Sequence, residues 1–304
     1  MRTRNKYKGN VMIKIITANT STCAIYGVID EIKKNDYNVG HHVVIIPDAF
    51  ALLAEKTIFE RLGINGSMNI EVVSFTRLAK KTLGNKIGHT LSKQGAVLYF
   101  QKSVRAVQEK LNHYAKASST DGFAGEMYAV IASLRNNGIS VDDLKGKLSD
   151  LSGTTKDKAE DIIVLYEKYI ETLNKYEDST SRLDTFKAEC ANSKKVTESY
   201  FYVFGFDSLS KKQIEIIAEI EKYSKGVTIG LPYDERNALY PQEVYERLKE
   251  YLERVGAKIE RQEMSEAIRS PFNVLHDNLF TMSDAKAKNE GSVITFRENN
   301  AYEQ

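Results

Sequence analysis

Four places in this sequence set a polar or aromatic side chain just beyond a short apolar run, and these are the residues that could do chemistry. Asp48 follows Pro47, Phe75-Thr76-Arg77 follows a run that begins at Ile70, Phe206-Asp207 follows Gly205, and Tyr233-Asp234 follows Pro232. Acidic residues at strand ends can hold Mg²⁺ near a nucleotide, or they can simply cap helices and form turns. An aromatic ring beside an arginine offers other chemistry. The ring can stack on a nucleobase, at roughly 1–3 kcal/mol per base, while the guanidinium meets a phosphate. Phe75 and Phe206 are open between that use and burial. Metal chemistry is not expected. His41, His42, His89, His113 and His276 show no ligand spacing with one another or with Cys23 and Cys190. There is no G-x-S-x-G elbow to carry a nucleophilic serine.

The elements that must position these residues alternate. Val43 to Ile46 is a β-branched run stopped by Pro47, and Asp48 stands where it could cap the helix that follows. That helix carries Leu52, Leu53, Ile58, Phe59 and Leu62 as its apolar stripe and ends at Gly63. Ile70 to Phe75 reads as the next strand, with Thr76 capping a basic helix. Two strands joined through a helix run parallel, and open parallel sheets bind ligands beyond the carboxyl ends of their strands. Ahead of this pair, Met12 to Ala18 is a first strand leading into a helix from Cys23 to Lys34. In a nucleotide-binding domain the turn between them is the phosphate loop, which needs glycines and a lysine. Between Ile16 and Tyr26 there is neither. Thr20, Ser21, Thr22 and Cys23 therefore mark a degenerate nucleotide-loop position, with the geometry retained and the phosphate chemistry absent.

From about Thr90 to Ser199 the period becomes helical, with no strand expected. Gln94 to Lys116 places Val97, Phe100, Val104, Val107, Leu111 and Tyr114 on one face; Phe123 to Leu134 and Lys156 to Tyr176 repeat the pattern. Lys145 to Thr155 reads as a connector, and Leu183 to Ala191 as a shorter helix capped by Ser181. The alternation then resumes with strands at Ser199–Phe204 and Gly226–Leu231. A helix opens at Ser210 with Gln213 at capping-box spacing, a second runs from Gln242 to Val255, and an edge strand is expected over Ala257–Glu263. A last strand begins at Ser292. The resulting expectation is an α/β fold with a parallel sheet flanked by helices. Its core is discontinuous, over 1–89 and 200–304, with an all-α subdomain inserted over 90–199.

Composition agrees with a soluble globular chain: of 304 residues, 42% are hydrophobic and 28% charged. No apolar run is long enough to span a membrane, and Lys14 interrupts the N-terminal run, against a signal peptide. Two distant cysteines fit a reducing, cytoplasmic setting. The net charge of +2 is unevenly spread, with 18 basic against 8 acidic residues over positions 1–120 and 25 against 33 over the remainder. A basic first part suits a surface that meets phosphate.

Taken together, VVIIPDAF from Val43, EVVSFTRLAKKTL from Glu71, LSKQGAVLYFQKSVRAV from Leu91 and YFYVFGFDSLSKKQIEII from Tyr200 resemble the N-terminal region of AddB. AddB is the B subunit of the bacterial AddAB-type ATP-dependent helicase–deoxyribonuclease. The resemblance implies a RecA-like core domain of the P-loop NTPase type that is not itself the motor. It implies action in double-strand break repair and recombination, contact with single-stranded DNA, and an AddA-like helicase–nuclease partner. The positions matching the family's DNA-reading surface are Phe75, Arg77 and Phe206, with Ala49 and Lys80 departing from the usual glutamine and aromatic. Cys23 stands where the phosphate-loop lysine would be, so no ATP or Mg²⁺ is expected here and no catalytic residue is assigned. By the same resemblance, the nuclease carboxylates and the iron–sulfur cysteines would follow Gln304. The alternatives are a divergent P-loop ATPase and a docking scaffold for the helicase partner.

Overall fold

The structure is a computed structural model that describes residues 12–18, 20–84, 89–173, 176–233 and 242–264. Asn19, Asp234, His276 and the strand expected from Ser292 lie outside these residues.

Six strands form one all-parallel sheet: β1 (Ile13–Ala18), β2 (His41–Ile45), β3 (Ile70–Val73), β6 (Ser199–Val203), β7 (Gly226–Pro232) and β8 (Ile259–Glu263). Their order is β3-β2-β6-β7-β1-β8. Both faces are buried, as parallel strands require. On one face Ile13, Ile15, Val43, Ile45, Phe201, Val203 and Ile229 enter one apolar cluster; on the other Ile16, Val44, Ile46, Tyr202 and Phe204 enter a second. The second face is covered by α1 (Ser21–Lys34) and α2 (Ala51–Leu62). The first is covered by α3 (Phe75–Leu83), α8 (Ser179–Glu189), α10 (Lys211–Tyr223) and α11 (Gln242–Arg254). This is the RecA-like α/β architecture the sequence leads one to expect.

The histidine pair at the start of β2 splits between the faces. His41 is exposed, whereas His42 is buried between the rings of Tyr200 and Tyr202, its Nδ1 3.1 Å from the Tyr202 hydroxyl. Burial holds the His42 imidazole below its ordinary pKa.

Several local expectations change. Leu52 and Leu53 are 81% and 62% exposed, because α2 turns Ala54 and Ile58 to the sheet instead. The helix expected over 94–116 is shorter: α4 (Lys93–Val107) ends nine residues earlier. Beyond it the Asp161 carboxylate accepts the amides of Asn112 at 2.9 Å and Tyr114 at 2.7 Å, and this side-chain acceptor takes over from the helical carbonyls. The connector expected over Lys145 to Thr155 overlaps the end of α6 (Val141–Lys147), a helix started by a capping box between Ser140 and Asp143. Two short strands also appear where none was expected, β4 (His89–Thr90) and β5 (Tyr176–Glu177), paired in parallel at the neck of the helical part.

α4, α5 (Phe123–Asn136) and α7 (Gly153–Leu173) enclose a separate cluster around Phe100, Ile131, Leu165 and Tyr169. Within the stretch 90–199 that the sequence assigns to the insertion, Leu183, Phe186 and Cys190 join the sheet's cluster, as does Val196 on the short α9 (Lys194–Thr197). α8 is thereby a packing neighbour of both parts.

Candidate nucleic-acid interface

Of the residues singled out in the sequence, Asp48, Phe75, Arg77 and Phe206 meet at the carboxyl edge of the sheet, whereas Tyr233 packs apart from them on Tyr245. β3 ends at Val73, two residues earlier than expected, and Ser74 rather than Thr76 is the N-cap of α3. Its hydroxyl accepts the Arg77 amide at 3.3 Å. Phe75 is therefore the first helical residue, and its side chain is turned inward to 3% exposure. The neighbouring ring, Phe206, lies 5.6 Å from it between centroids, tilted by 53°, and is only partly buried. Gly205 has φ +78°, a left-handed conformation that glycine adopts without strain, and this turn brings Phe206 over Phe75. Of the two rings left open between stacking and burial, Phe75 is buried and Phe206 is the available ring resting on it.

Asp48 does not cap α2. It begins a 3₁₀ turn over Asp48–Phe50 with no side-chain cap, and its carboxylate instead forms an ion pair with Arg77, Oδ1 lying 3.1 Å from Nε. Both side chains are more than half exposed, so this ion pair is worth little by itself. Its consequence is orientation, since it ties the β2 turn to the start of α3. Asp207 is exposed.

Two adjoining hollows follow from this arrangement. A smaller one of about 290 Å³ lies over Pro47, Asp48, Phe75, Thr76 and Phe206. It opens into a groove of about 920 Å³ between α3, α4, α5 and α8, the two sharing Thr76, Asn136, Ser179 and Ser210. The groove is lined by four cations, Arg77, Lys80, Lys93 and Arg182, against one carboxylate, Glu126. A water-filled groove with this imbalance concentrates anions. Lys93 and Arg182 are not legible as site residues in the sequence. They sit singly on helices far apart in the chain, with no motif to join them. Lys80 is here a groove cation.

The loop from Thr20 to Cys23 is elsewhere on the edge. Thr20 caps α1, its hydroxyl accepting the Cys23 amide at 3.1 Å, while Ser21 and Thr22 are exposed. Cys23 is 2% exposed and packs with Ala18, Ala24 and Met264. α1 also lies hard against β7: a Cβ on Gly230 would come within 2.6 Å of Val28 Cγ2 and 3.1 Å of the Ala24 carbonyl. The Cys23 side chain is thus buried, with Ala18, Ala24 and Met264 packed against it. Among the described residues no cluster of His, Cys, Asp and Glu could hold a metal ion, and no helix is long and apolar enough to cross a membrane.

Residues 18–280 match the family described as ADDB, N-terminal. The chain is 24% identical over 283 residues to the B subunit of the ATP-dependent helicase/deoxyribonuclease of Listeria monocytogenes serotype 4a (strain HCC23), a match covering 91% of this chain and 24% of that protein. The protein of the same description from Oceanobacillus iheyensis is 28% identical over 239 residues, covering 71% of this chain and 20% of the relative. That from Clostridium novyi (strain NT) is 25% identical over 231 residues, covering 72% and 20%. The chain spans at most 24% of the length of these curated relatives. With a match that takes in the whole carboxyl edge of the sheet and the helical part behind it, the chain belongs to the ADDB N-terminal family.

Proposed function

We propose that this chain is the non-motor, helicase-like N-terminal region of the B subunit of an ATP-dependent helicase/deoxyribonuclease, and that it contacts single-stranded DNA during double-strand break repair and recombination. An AddA-like helicase–nuclease would be its partner and the carrier of the motor. The observation that supports the reading is the continuity of Phe206 and Arg77 with a groove holding three further cations. A single strand needs a sequence-tolerant stacking surface beside a cationic track for its backbone. Phe206 and the groove cations are suited to those two roles. Binding of a labelled oligothymidine, followed by fluorescence anisotropy across salt concentrations, tests it. Arg77→Ala is expected to lower the slope of log affinity against log salt by about 0.7. Phe206→Ala is expected to lose one stacked base, about 1–3 kcal/mol. Affinity independent of salt, or both variants binding like the wild type, would refute the proposal.

Nucleotide binding is the competing reading, and the enclosure of Cys23 weighs against it. The N-terminal amide that would greet a phosphate is already engaged by Thr20, and no lysine follows. Calorimetric titration with millimolar Mg-ATP is expected to give no binding heat; a saturable isotherm would restore the ATPase reading. A docking role for the same edge has one observation in its favour. Phe50, Leu52 and Leu53 are exposed at the start of α2, beside Asp48. If docking alone were the role, Arg77→Ala would leave DNA affinity unchanged.

A further inference from the structure

The four groove cations are not equivalent. Arg77 is held by Asp48, and Lys80 and Lys93 stand at exposed positions. Arg182, on α8, is deeper, and its Nε is buried without a hydrogen-bond partner among the described residues. A guanidinium that lines the groove with no ion-pair partner among the described residues is a ready contact, through its outer nitrogens, for an anion entering it. The lining around it supplies hydroxyl groups from Ser179, Ser210 and Thr76, each able to donate to a phosphate oxygen. Asp178, the N-cap of the same helix, is already engaged by Arg135, the Tyr169 hydroxyl and the Ser181 amide. It is therefore not the acceptor for Arg182.

We propose that Arg182 is a phosphodiester-binding residue, so that the strand runs through the groove between α3, α4, α5 and α8 as well as over the sheet edge at Phe206. This inference rests on the single-stranded DNA reading above, and it gives the helical part a direct share in binding. The whole chain is titrated with oligothymidine at several salt concentrations as wild type, Arg182→Gln, Arg182→Lys and Arg77→Ala. Arg182→Gln is expected to weaken binding roughly tenfold and to lower the salt slope by about 0.7. Arg182→Lys keeps the stem and charge and is expected to retain the wild-type slope. Should Arg182→Gln melt at a lower temperature than wild type, the Lys variant carries the test, and a slope reduced there by one full contact would overturn the proposal. Wild-type behaviour of Arg182→Gln while Arg77→Ala weakens binding would overturn it too, with the DNA reading left standing. Absence of salt-dependent binding by the wild type would overturn both.

Discussion

Phe75→Ala is expected to lose about 3–5 kcal/mol of folding stability, the range for deleting a buried aromatic ring and leaving its cavity. Phe75 is 3% exposed and sits in the sheet's main cluster with Val73, Leu78 and Leu183. Phe206→Ala removes a ring that is only partly buried against that cluster and should cost much less. Urea denaturation of the two variants separates them, and equal losses would show that Phe75 is not a core residue. The contrast governs how DNA-binding data are read. A binding defect in Phe75→Ala reports the collapse of the support under Phe206, not the loss of a stacking face. Phe75→Leu, which refills most of the space, should bind nearly as the wild type does.

The second large effect is expected at Asp178, whose carboxylate is 0% exposed and joins three helices. It caps α8 by accepting the Ser181 amide at 2.9 Å, accepts the Tyr169 hydroxyl of α7 at 2.9 Å, and pairs with Arg135 of α5. Asp178→Ala leaves the Arg135 cation largely buried and unpaired, and should cost about 3–5 kcal/mol. Burial alone would raise the Asp178 pKa, but Arg135, the Ser181 amide and the Tyr169 hydroxyl outweigh it and hold the carboxyl below its ordinary 3.8. The unfolded chain therefore takes up this proton more readily than the folded one. The stability Asp178 contributes is present above that ordinary value and is lost as pH falls through the lower folded one. Thermal melts of the wild type should weaken on acidification below about pH 4, and this part of the profile should flatten in Asp178→Asn. A profile identical in the two proteins would contradict the assignment. Because α8 carries Ser179 and Arg182, loosening this junction should also widen the groove and weaken the DNA binding proposed for it.

Much of the fold is legible in the sequence because parallel strands buried on both faces write themselves as short apolar runs of β-branched and aromatic residues. Val43 to Ile46, Ser199 to Phe204 and Gly226 to Leu231 stand out that way, each within a residue or two of the structure. The Ser210–Gln213 capping box is legible too, since its partners lie three residues apart and need nothing distant. Boundaries shift where a remote group takes over a local role. The helix expected to continue past Val107 stops because Asp161, some fifty residues on, accepts the amides at 112 and 114. Asp48 has the position of a cap, yet it faces Arg77, which lies near it only in the folded chain.

For the site, sequence alone determined its place at the sheet edge and the composition of the neighbouring loop. Apolar runs ending in polar residues put Asp48, Arg77 and Phe206 at one edge of a parallel sheet, and the loop from Thr20 to Cys23 has no glycine or lysine, whatever the fold. Tertiary structure decided which of those residues face solvent. Ser74 caps α3 two residues before Thr76, and that small shift turns Phe75 into the core and leaves Phe206 as the available ring. It also decided the extent of the site. Lys93 and Arg182 join Arg77 only because α4 and α8 pack beside α3, and residues gathered from helices about ninety positions apart leave no local pattern to read.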